Sequence, residues 1–243
     1  MPTDYFGGHV AAGYDALSPD MFDPAVLDPT VDLLAGVAGD GRALELGVGT
    51  GRVALPLSRR GVPVHGIDLS PDMVAQLRAK PGGDAIGVTI GDFATATAPG
   101  TFRLAYLVFN TIGNLTTQDA QVACFRNAAA HLEPGGCFVI EVGVPDIQRL
   151  PPGERYRPFQ VTPTHLGVDE IDVVTQSMIS HHYIDRGKGL RPYSLPFRYV
   201  WPSELDLMAR LAGMSLVDRW AGWRREPFTA ESDKHVSVWR LAA

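Results

Sequence analysis

The sequence predicts an α/β fold with a doubly wound parallel sheet, and two observations carry that prediction. Short apolar segments of strand type alternate with segments of helical pattern between residues 43 and 142, which is the order that builds parallel βαβ units. The first apolar segment runs into a glycine-rich turn, and a second one ends in an acid about 20 residues further on. An open parallel sheet binds its ligands at such strand ends.

The amino-terminal segment, residues 1–40, is expected to form a helical cover. Tyr14 lies there in a setting rich in glycine and alanine. Asp28 and Pro29 have the residue types of an N-cap and a first-turn proline, so they predict the start of an amphipathic helix ahead of the first strand.

Residues 41–145 are expected to form the cofactor-binding core. The predicted strands are 43–46, 62–67, 85–90, 104–109 and 137–142, and the predicted helices are 52–60, 71–78 and 119–131. Ser70 and Pro71 supply an N-cap and an N1 proline for the second of these helices. The run 133–136, Glu-Pro-Gly-Gly, ends the third helix before the fifth strand.

The pattern changes after residue 145. Residues 173–183 and 195–201 are strand-like, so the region 146–200 is expected to be an inserted antiparallel β layer. The acidic cluster 169–172 within it reads as a solvated loop.

The last region, residues 201–243, is expected to contribute a closing helix and β-hairpin. A helical pattern covers 204–212, and two strand patterns cover 215–220 and 235–241. Because 243 residues can bury one large core, all four regions are assigned to a single domain.

The glycine-rich turn indicates the kind of ligand. Gly47, Gly49 and Gly51 allow a tight turn and a close backbone approach to a ligand. A dinucleotide fingerprint requires a small residue at the next position, where this chain has Arg52. Glu45, just before the first glycine, would repel a pyrophosphate and favour a cationic or amino-acid-bearing ligand. The turn therefore points away from nicotinamide dinucleotides.

The run from Glu45 to Gly51 resembles motif I of the class I S-adenosylmethionine-dependent methyltransferases. Asp68 follows the second strand at the offset where a carboxylate hydrogen-bonds ribose hydroxyls. The resemblance places Asp92 beside the adenine amino group and Phe93 against the adenine ring. It implies a Rossmann-like sheet of seven strands with the last strand antiparallel, S-adenosylmethionine as cofactor and S-adenosylhomocysteine as product.

The inserted β layer and the Tyr-Asp pair at residues 14–15 resemble the aminosugar N,N-dimethyltransferases of antibiotic pathways. This resemblance implies a small-molecule acceptor methylated at an amine nitrogen, with oxygen and carbon acceptors left open. Residues 109–115, Phe-Asn-Thr-Ile-Gly-Asn-Leu, resemble the family's Phe-Ser-Ser-Ile-Gly-aromatic/His-Leu segment. Asn114 stands where some members have histidine, which removes one candidate base.

Five residues are candidates for the chemistry, each with an alternative. Tyr14 reaches the methionyl carboxylate or the acceptor, or packs its ring. Asn114 and Glu141 are candidate catalytic groups; Glu141 lies inside an apolar strand, where an unpaired charge is costly, so it either faces the cleft or pairs with an arginine or a backbone amide. Asn110 contacts the cofactor or caps its loop. Arg52 binds the methionyl carboxylate or is solvated.

Composition excludes several partners. The net charge of −6 and the scattered basic residues disfavour nucleic acid, and no apolar stretch approaches a membrane span. Cys124 and Cys137 have no metal-ligand spacing, and the adjacent residues His181 and His182 would point to opposite faces of a strand, so no metal is expected. We expect a cytoplasmic protein.

Two alternatives from other classes remain at this point, together with one question about assembly. A nicotinamide-dependent oxidoreductase is one alternative, and a catalytically silent S-adenosylmethionine-binding module is the other. The inserted strands offer a surface for a homodimer, although edge strands can equally be covered by their own chain.

Overall fold

The computed structural model describes residues 3–17, 19–147, 150–185, 187 and 189–243. The strands in these ranges are β1 (Ala43–Leu46), β2 (Val64–Asp68), β3 (Gly87–Ile90), β4 (Phe102–Leu107), β5 (Leu132–Gly143), β6 (Tyr156–Val161), β7 (His165–Asp172), β8 (Ser177–Asp185), β9 (Leu190–Arg198), β10 (Met214–Trp220) and β11 (Lys234–Leu241). The α-helices are α1 (His9–Leu17), α2 (Pro24–Ala38), α3 (Ala54–Arg59), α4 (Pro71–Arg78), α5 (Gln118–His131) and α6 (Pro202–Leu211).

The main sheet has seven strands in the order β10-β11-β5-β4-β1-β2-β3. Strands β1 to β5 run parallel, whereas β11 runs antiparallel to both β5 and β10. The predicted fold class, including the antiparallel last strand, is confirmed. The strand order reverses between β1 and β4, and ligands bind outside the carboxyl ends of the strands at such a reversal.

Hydrophobic clusters cover both faces of the main sheet, which explains why its central strands are nearly continuous apolar runs. Leu44 and Leu46 of β1 belong to the cluster on one face, and Ala43 belongs to the other. Only Glu45 interrupts the apolar sequence of β1. A carboxyl group buried in this strand therefore needs a specific partner.

The prediction that α2 begins at Asp28 and Pro29 is wrong, because the helix begins one turn earlier. Asp23 is the N-cap, and its Oδ1 accepts a hydrogen bond of 2.8 Å from the Ala25 amide. Pro29 lies inside the helix and has no N–H for the Ala25 carbonyl. The Arg224 guanidinium donates to that carbonyl at 3.0 Å instead, so a distant side chain makes the interior proline tolerable.

The inserted layer is a separate antiparallel sheet in the order β6-β7-β8-β9. Sequence patterns predict only its last two strands, and the first of those begins at Ser177, not at residue 173. The prediction that residues 169–172 form a loop is wrong, because all four pair with β8 as part of β7, and Asp169 and Glu170 also pair with β6. Asp169 is accommodated there by a hydrogen bond of 2.5 Å from the Ser180 hydroxyl.

A buried arginine fastens the inserted sheet to the core. Arg198 is 4% exposed and donates to Gln121 Oε1 at 2.5 Å, to Glu204 Oε1 at 2.7 Å and to Gln176 Oε1 at 3.2 Å. The Gln121 amide in turn donates to the Ile112 carbonyl at 3.2 Å. The network thus joins β9, α5 and α6 to the segment that follows β4.

Candidate active site

A cavity of about 530 Å³ lies at the carboxyl ends of β1, β2 and β4. Its volume is within the range of small-molecule and cofactor sites. The amino-terminal residues close one side, and residues 195–197 of β9 close another. Most of the predicted site residues line this cavity: Tyr14, Glu45, Gly47, Gly49, Arg52, Asp68, Asp92, Phe93 and Asn114.

The glycine turn follows β1 and forms the floor of the cavity. Gly47 has φ +78° and Gly49 has φ +53°, values that side chains rarely tolerate. A Cβ atom at Gly47 would lie 2.7 Å from the Thr111 methyl carbon. Glycine is therefore required there for both the turn and the approach of the post-β4 segment.

Gly51 does not line the cavity and has a packing role. Its φ is +78°, and a Cβ atom there would lie 2.2 Å from Leu77 Cδ1. The third glycine of the motif thus lets α3 and α4 pack closely behind the turn.

Asp68 is held rigidly at the end of β2. Its Oδ2 accepts a hydrogen bond of 2.6 Å from the Gly49 amide, and its Oδ1 accepts one of 2.9 Å from the Ser70 amide. Burial raises the pKa of Asp68, while these two amides oppose the rise. A carboxylate oxygen has more than one acceptor site, so both oxygens retain capacity for the hydroxyl groups of a ligand.

Glu45 is buried beneath the glycine turn. It is 3% exposed, and the Tyr106 hydroxyl donates to its Oε2 at 2.8 Å. Burial raises the pKa of Glu45 to about 8, against the lowering effects of the Tyr106 hydrogen bond and the Arg52 charge. Glu45 is consequently protonated at neutral pH until a cationic group arrives beside it.

Asp92 and Phe93 follow β3 and form the wall beside the glycine turn. Asp92 Oδ1 accepts a hydrogen bond of 2.9 Å from the Ala94 amide. Phe93 is buried, and its backbone carbonyl accepts a hydrogen bond of 2.9 Å from the Asn127 side chain. These contacts fix a carboxyl group and an apolar ring side by side.

The segment after β4 contains a feature that sequence patterns did not reveal. Phe109 (φ +58°) and Asn110 (φ +61°) are consecutive left-handed residues, and this conformation costs about 1–2 kcal/mol for each non-glycine residue. The Phe109 ring lines the cavity, and the Arg52 guanidinium lies 5.3 Å from its centroid. A strained backbone therefore presents an aromatic face to the site.

Glu141 and Asn110 lie outside the cavity and hold this strained segment. Glu141 Oε2 accepts a hydrogen bond of 3.1 Å from the Phe109 amide, and its Oε1 accepts one of 2.9 Å from Trp223 Nε1. Asn110 Oδ1 accepts a hydrogen bond of 2.6 Å from the Gly143 amide. Of the two alternatives for Glu141, facing the cleft or pairing within the fold, the structure shows pairing with a backbone amide. Asn110 caps its loop through the Gly143 amide.

The amino-terminal cover is fastened to the glycine turn by residues outside the predicted site. Asp15 accepts a hydrogen bond of 2.6 Å from the Thr50 hydroxyl and forms an ion pair of 2.6 Å with Lys80. Asp72 accepts a hydrogen bond of 2.6 Å from the Gly8 amide. The Tyr-Asp pair at residues 14–15 was noted in the sequence, but no pattern there indicates that Asp15 and Asp72 make these contacts.

Tyr14 and Asn114 both line the cavity. The Tyr14 ring packs edge-on against Phe6 at 6.2 Å, and burial raises the pKa of its hydroxyl, with Arg52 opposing. Asn114 belongs to the short 3-10 helix Thr111–Asn114. Phe197 of the inserted sheet, which the sequence did not single out, also lines the cavity.

The described residues form neither a cluster suited to a metal ion nor a helix suited to a membrane span. No group of three or more His, Cys, Asp or Glu side chains among them could hold a metal ion. Cys124 and Cys137 are buried free cysteines. No helix in the described ranges has the length and hydropathy needed to cross a membrane.

Comparisons with known proteins agree with this geometry. Residues 43–136 match a family described as "Methyltransferase domain". The cypemycin N-terminal methyltransferase of a Streptomyces species is 28% identical over 240 residues, covering 93% of this chain and 96% of the relative.

Solved structures extend the likeness. The CcbJ methyltransferase from Streptomyces caelestis is 37% identical, with a TM-score of 0.82, over 93% of this chain and 96% of that chain. CalS10, an amino pentose methyltransferase from Micromonospora echinaspora, has a TM-score of 0.68 at 23% identity over 100% of both chains. At that identity CalS10 supports the fold alone.

Proposed function

Because the chain belongs to the class I S-adenosylmethionine-dependent methyltransferases, we propose that it methylates an amine nitrogen of a small-molecule acceptor. The protein is a methyltransferase, and S-adenosylmethionine is its cofactor. The family, and not a nicotinamide-dependent oxidoreductase, accounts for the glycine turn and the sheet. A silent binding module would share both features, and turnover separates it from an enzyme.

The residues around the cavity fit this cofactor. Asp68 is proposed to accept hydrogen bonds from the ribose hydroxyls, and Asp92 with Phe93 to hold the adenine. Glu45 would pair with the methionyl ammonium and Arg52 with the methionyl carboxylate. When bound, S-adenosylmethionine supplies an electrophilic methyl group; the protein's part is to place the acceptor and exclude water.

The observation that carries the amine proposal is the acid-rich, aromatic-walled cavity. Its described lining includes one basic side chain, Arg52, and four carboxyl groups: Asp4, Glu45, Asp68 and Asp92. Even without Glu45, which is protonated at neutral pH, the carboxyl groups of the lining outnumber its one cation, and this balance of charge attracts a cationic acceptor. Tyr5, Phe6, Tyr14 and Phe109 also line the cavity, and aromatic faces stabilise alkylammonium groups through cation–π contacts.

A neutral amine needs only modest assistance for methylation, because it is a nucleophile once it has lost its proton. Tyr14 and Asn114 are proposed to orient that amine by hydrogen bonding. Burial raises the pKa of the Tyr14 hydroxyl above its ordinary value of 10.0. The hydroxyl is therefore neutral at physiological pH and can donate or accept a hydrogen bond. Glu141 has no catalytic part in this proposal, since it lies outside the cavity.

The name of one similar protein supports a nitrogen acceptor, because that relative is an N-terminal methyltransferase for cypemycin. On this basis the acceptor is proposed to belong to specialised, antibiotic-type metabolism.

The test uses paired acceptors that differ in one group. The purified protein is incubated with S-adenosylmethionine and an amino sugar or its hydroxyl analogue, and with a peptide whose amino terminus is free or acetylated. S-adenosylhomocysteine and methylated product are measured by mass spectrometry. Methylation of free amines alone is expected. Methylation of hydroxyl or carbon acceptors, with every amine left unmodified, would overturn the proposal.

A further inference from the structure

Phe109 and Asn110 are the only consecutive non-glycine residues with positive φ in the described part of the chain. Strained backbone of this kind clusters at functional sites when surrounding contacts hold it in place. The strained backbone directs the Phe109 side chain to the site: Phe109 is 39% exposed and lines the cavity. The guanidinium of Arg52 already lies at cation–π distance from that ring.

The contacts that hold Phe109 converge on one carboxylate. Glu141 is buried and accepts two N–H groups from different parts of the fold, the Phe109 amide and the Trp223 indole. The Asn110 amide donates to the Glu141 backbone carbonyl at 3.3 Å. Lys234 Nζ lies 3.8 Å from Oε1 at the solvent side. A carboxylate, which is an acceptor only, matches these donors.

We infer that Glu141 is a positioning residue that fixes Phe109 in its left-handed conformation, so that the Phe109 ring forms a binding surface for the acceptor amine. Glu141 acts through Phe109, because its own side chain does not line the cavity. The identity of the acceptor rests on the proposed function, whereas the hold of Glu141 on Phe109 does not. Trp223, in the loop after β10, donates its indole N–H to the other carboxylate oxygen of Glu141 and so helps to hold that side chain in place.

Because Glu141 accepts from two donors, the Phe109 amide and the Trp223 indole, removing one donor can compensate for the loss of one acceptor oxygen. Glu141→Gln leaves one acceptor oxygen and introduces an N–H₂ group, which must face either the Phe109 amide or the Trp223 indole. One donor then meets another donor. Trp223→Phe removes the indole N–H, so in the double variant the glutamine oxygen is free to accept from Phe109. A merely structural role for the two residues predicts a double variant that is worse than either single one.

Two measurements distinguish a positioning role of Glu141 from a merely structural role. Hydrogen exchange of the Phe109 amide, followed by NMR or mass spectrometry, needs no acceptor; Glu141→Gln is expected to accelerate it about tenfold and the double variant to restore it. With an amine acceptor found as above, Glu141→Gln should raise the acceptor KM about tenfold while kcat changes little. Affinity for S-adenosylhomocysteine should stay at the wild-type value in calorimetry.

Matched variants keep the outcome clear. Glu170→Gln changes a glutamate that contacts His181 in the inserted sheet and should leave Phe109 exchange unchanged. If Glu141→Gln does not fold, Phe109→Gly removes the ring at a position where glycine accepts positive φ; a wild-type acceptor KM in that variant would overturn the inference.

The inference also falls if Glu141→Gln leaves Phe109 exchange at the wild-type rate, or if Trp223→Phe fails to restore it. Failure of the proposed function looks different, because the wild-type protein would then methylate no amine while its Phe109 exchange still responded to Glu141.

Discussion

The cofactor-facing half of the cavity and the inserted sheet are positioned by different kinds of interaction. Around the glycine turn, contacts to backbone amides just after strand ends set the geometry: Asp68 accepts from the Gly49 amide, 19 residues away, and from the Ser70 amide, 2 residues away. The inserted sheet depends on Arg198, whose partner Gln121 is 77 residues away. The first half is thus specified by local backbone conformation, and the second by a few long-range polar contacts.

The largest expected effect comes from removing the anchor of the inserted sheet. Arg198→Met should lower the free energy of unfolding by about 3–5 kcal/mol, because it leaves Glu204 without its buried cation. Urea unfolding measures this change. Arg157→Met is the control in the same sheet; its ion pair with Asp146 is partly exposed, so a loss below about 1 kcal/mol is expected. Equal losses of unfolding free energy in the two variants would show that the buried network around Arg198 stabilises the fold no more than a partly exposed ion pair does.

Glycine substitutions compare the two regions directly. Gly51→Ala forces a Cβ to within 2.2 Å of Leu77 Cδ1 at φ +78°, and we expect a loss of about 3 kcal/mol. Gly189→Ala, between β8 and β9, meets nothing within 4 Å at φ +83°, so only the backbone cost of about 1 kcal/mol remains. Thermal unfolding of both variants tests the difference; a larger loss at Gly189 would contradict it.

Asp68→Ala probes the proposed ribose contact. Loss of its hydrogen bonds should raise the dissociation constant for S-adenosylhomocysteine about a hundredfold in calorimetry. Asp84→Ala changes an exposed carboxylate on the β2–β3 connection and should leave affinity unchanged. An Asp68→Ala variant that binds normally would remove the ribose-clamp assignment.

The burial of Glu45 makes affinity and stability depend on pH. The folded pKa of Glu45, about 8, exceeds its ordinary value of 4.5. Its contribution to stability is therefore fully present below about pH 4.5 and is lost as pH rises towards about 8. Binding of the cationic methionyl ammonium favours the ionised form, so affinity for S-adenosylhomocysteine should rise with pH, by up to about tenfold per unit, until about pH 8.

The proton released on binding can be measured directly. Calorimetry at pH 7 in two buffers of different ionisation enthalpy should report up to about one proton, and Glu45→Gln should abolish it. Release that persists in this variant would assign the proton to another group.

The success of sequence-based prediction follows the same division. Glycine spacing, strand ends and acid offsets are local, so Glu45 and Asp68 could be placed together at one edge of the sheet, and the family resemblance added Asp92 and Phe93. The roles of Glu141 and Asn110 could not be read in the same way. A carboxylate in an apolar strand signals that a partner exists, but it does not say which of several loops supplies that partner.

The sequence by itself determined the α/β core, because periodicity and glycine geometry are properties of neighbouring residues, and the resemblance of its motifs to a known family implied the methyltransferase fold class and the cofactor. Only the tertiary structure decided that α2 continues through Pro29, that residues 169–172 belong to a strand, and that Phe109 faces the cavity. Each of these depends on a contact outside the local pattern: Arg224 for the helix and Glu141 for the aromatic ring, both far along the chain, and Ser180 on the adjacent strand for residues 169–172.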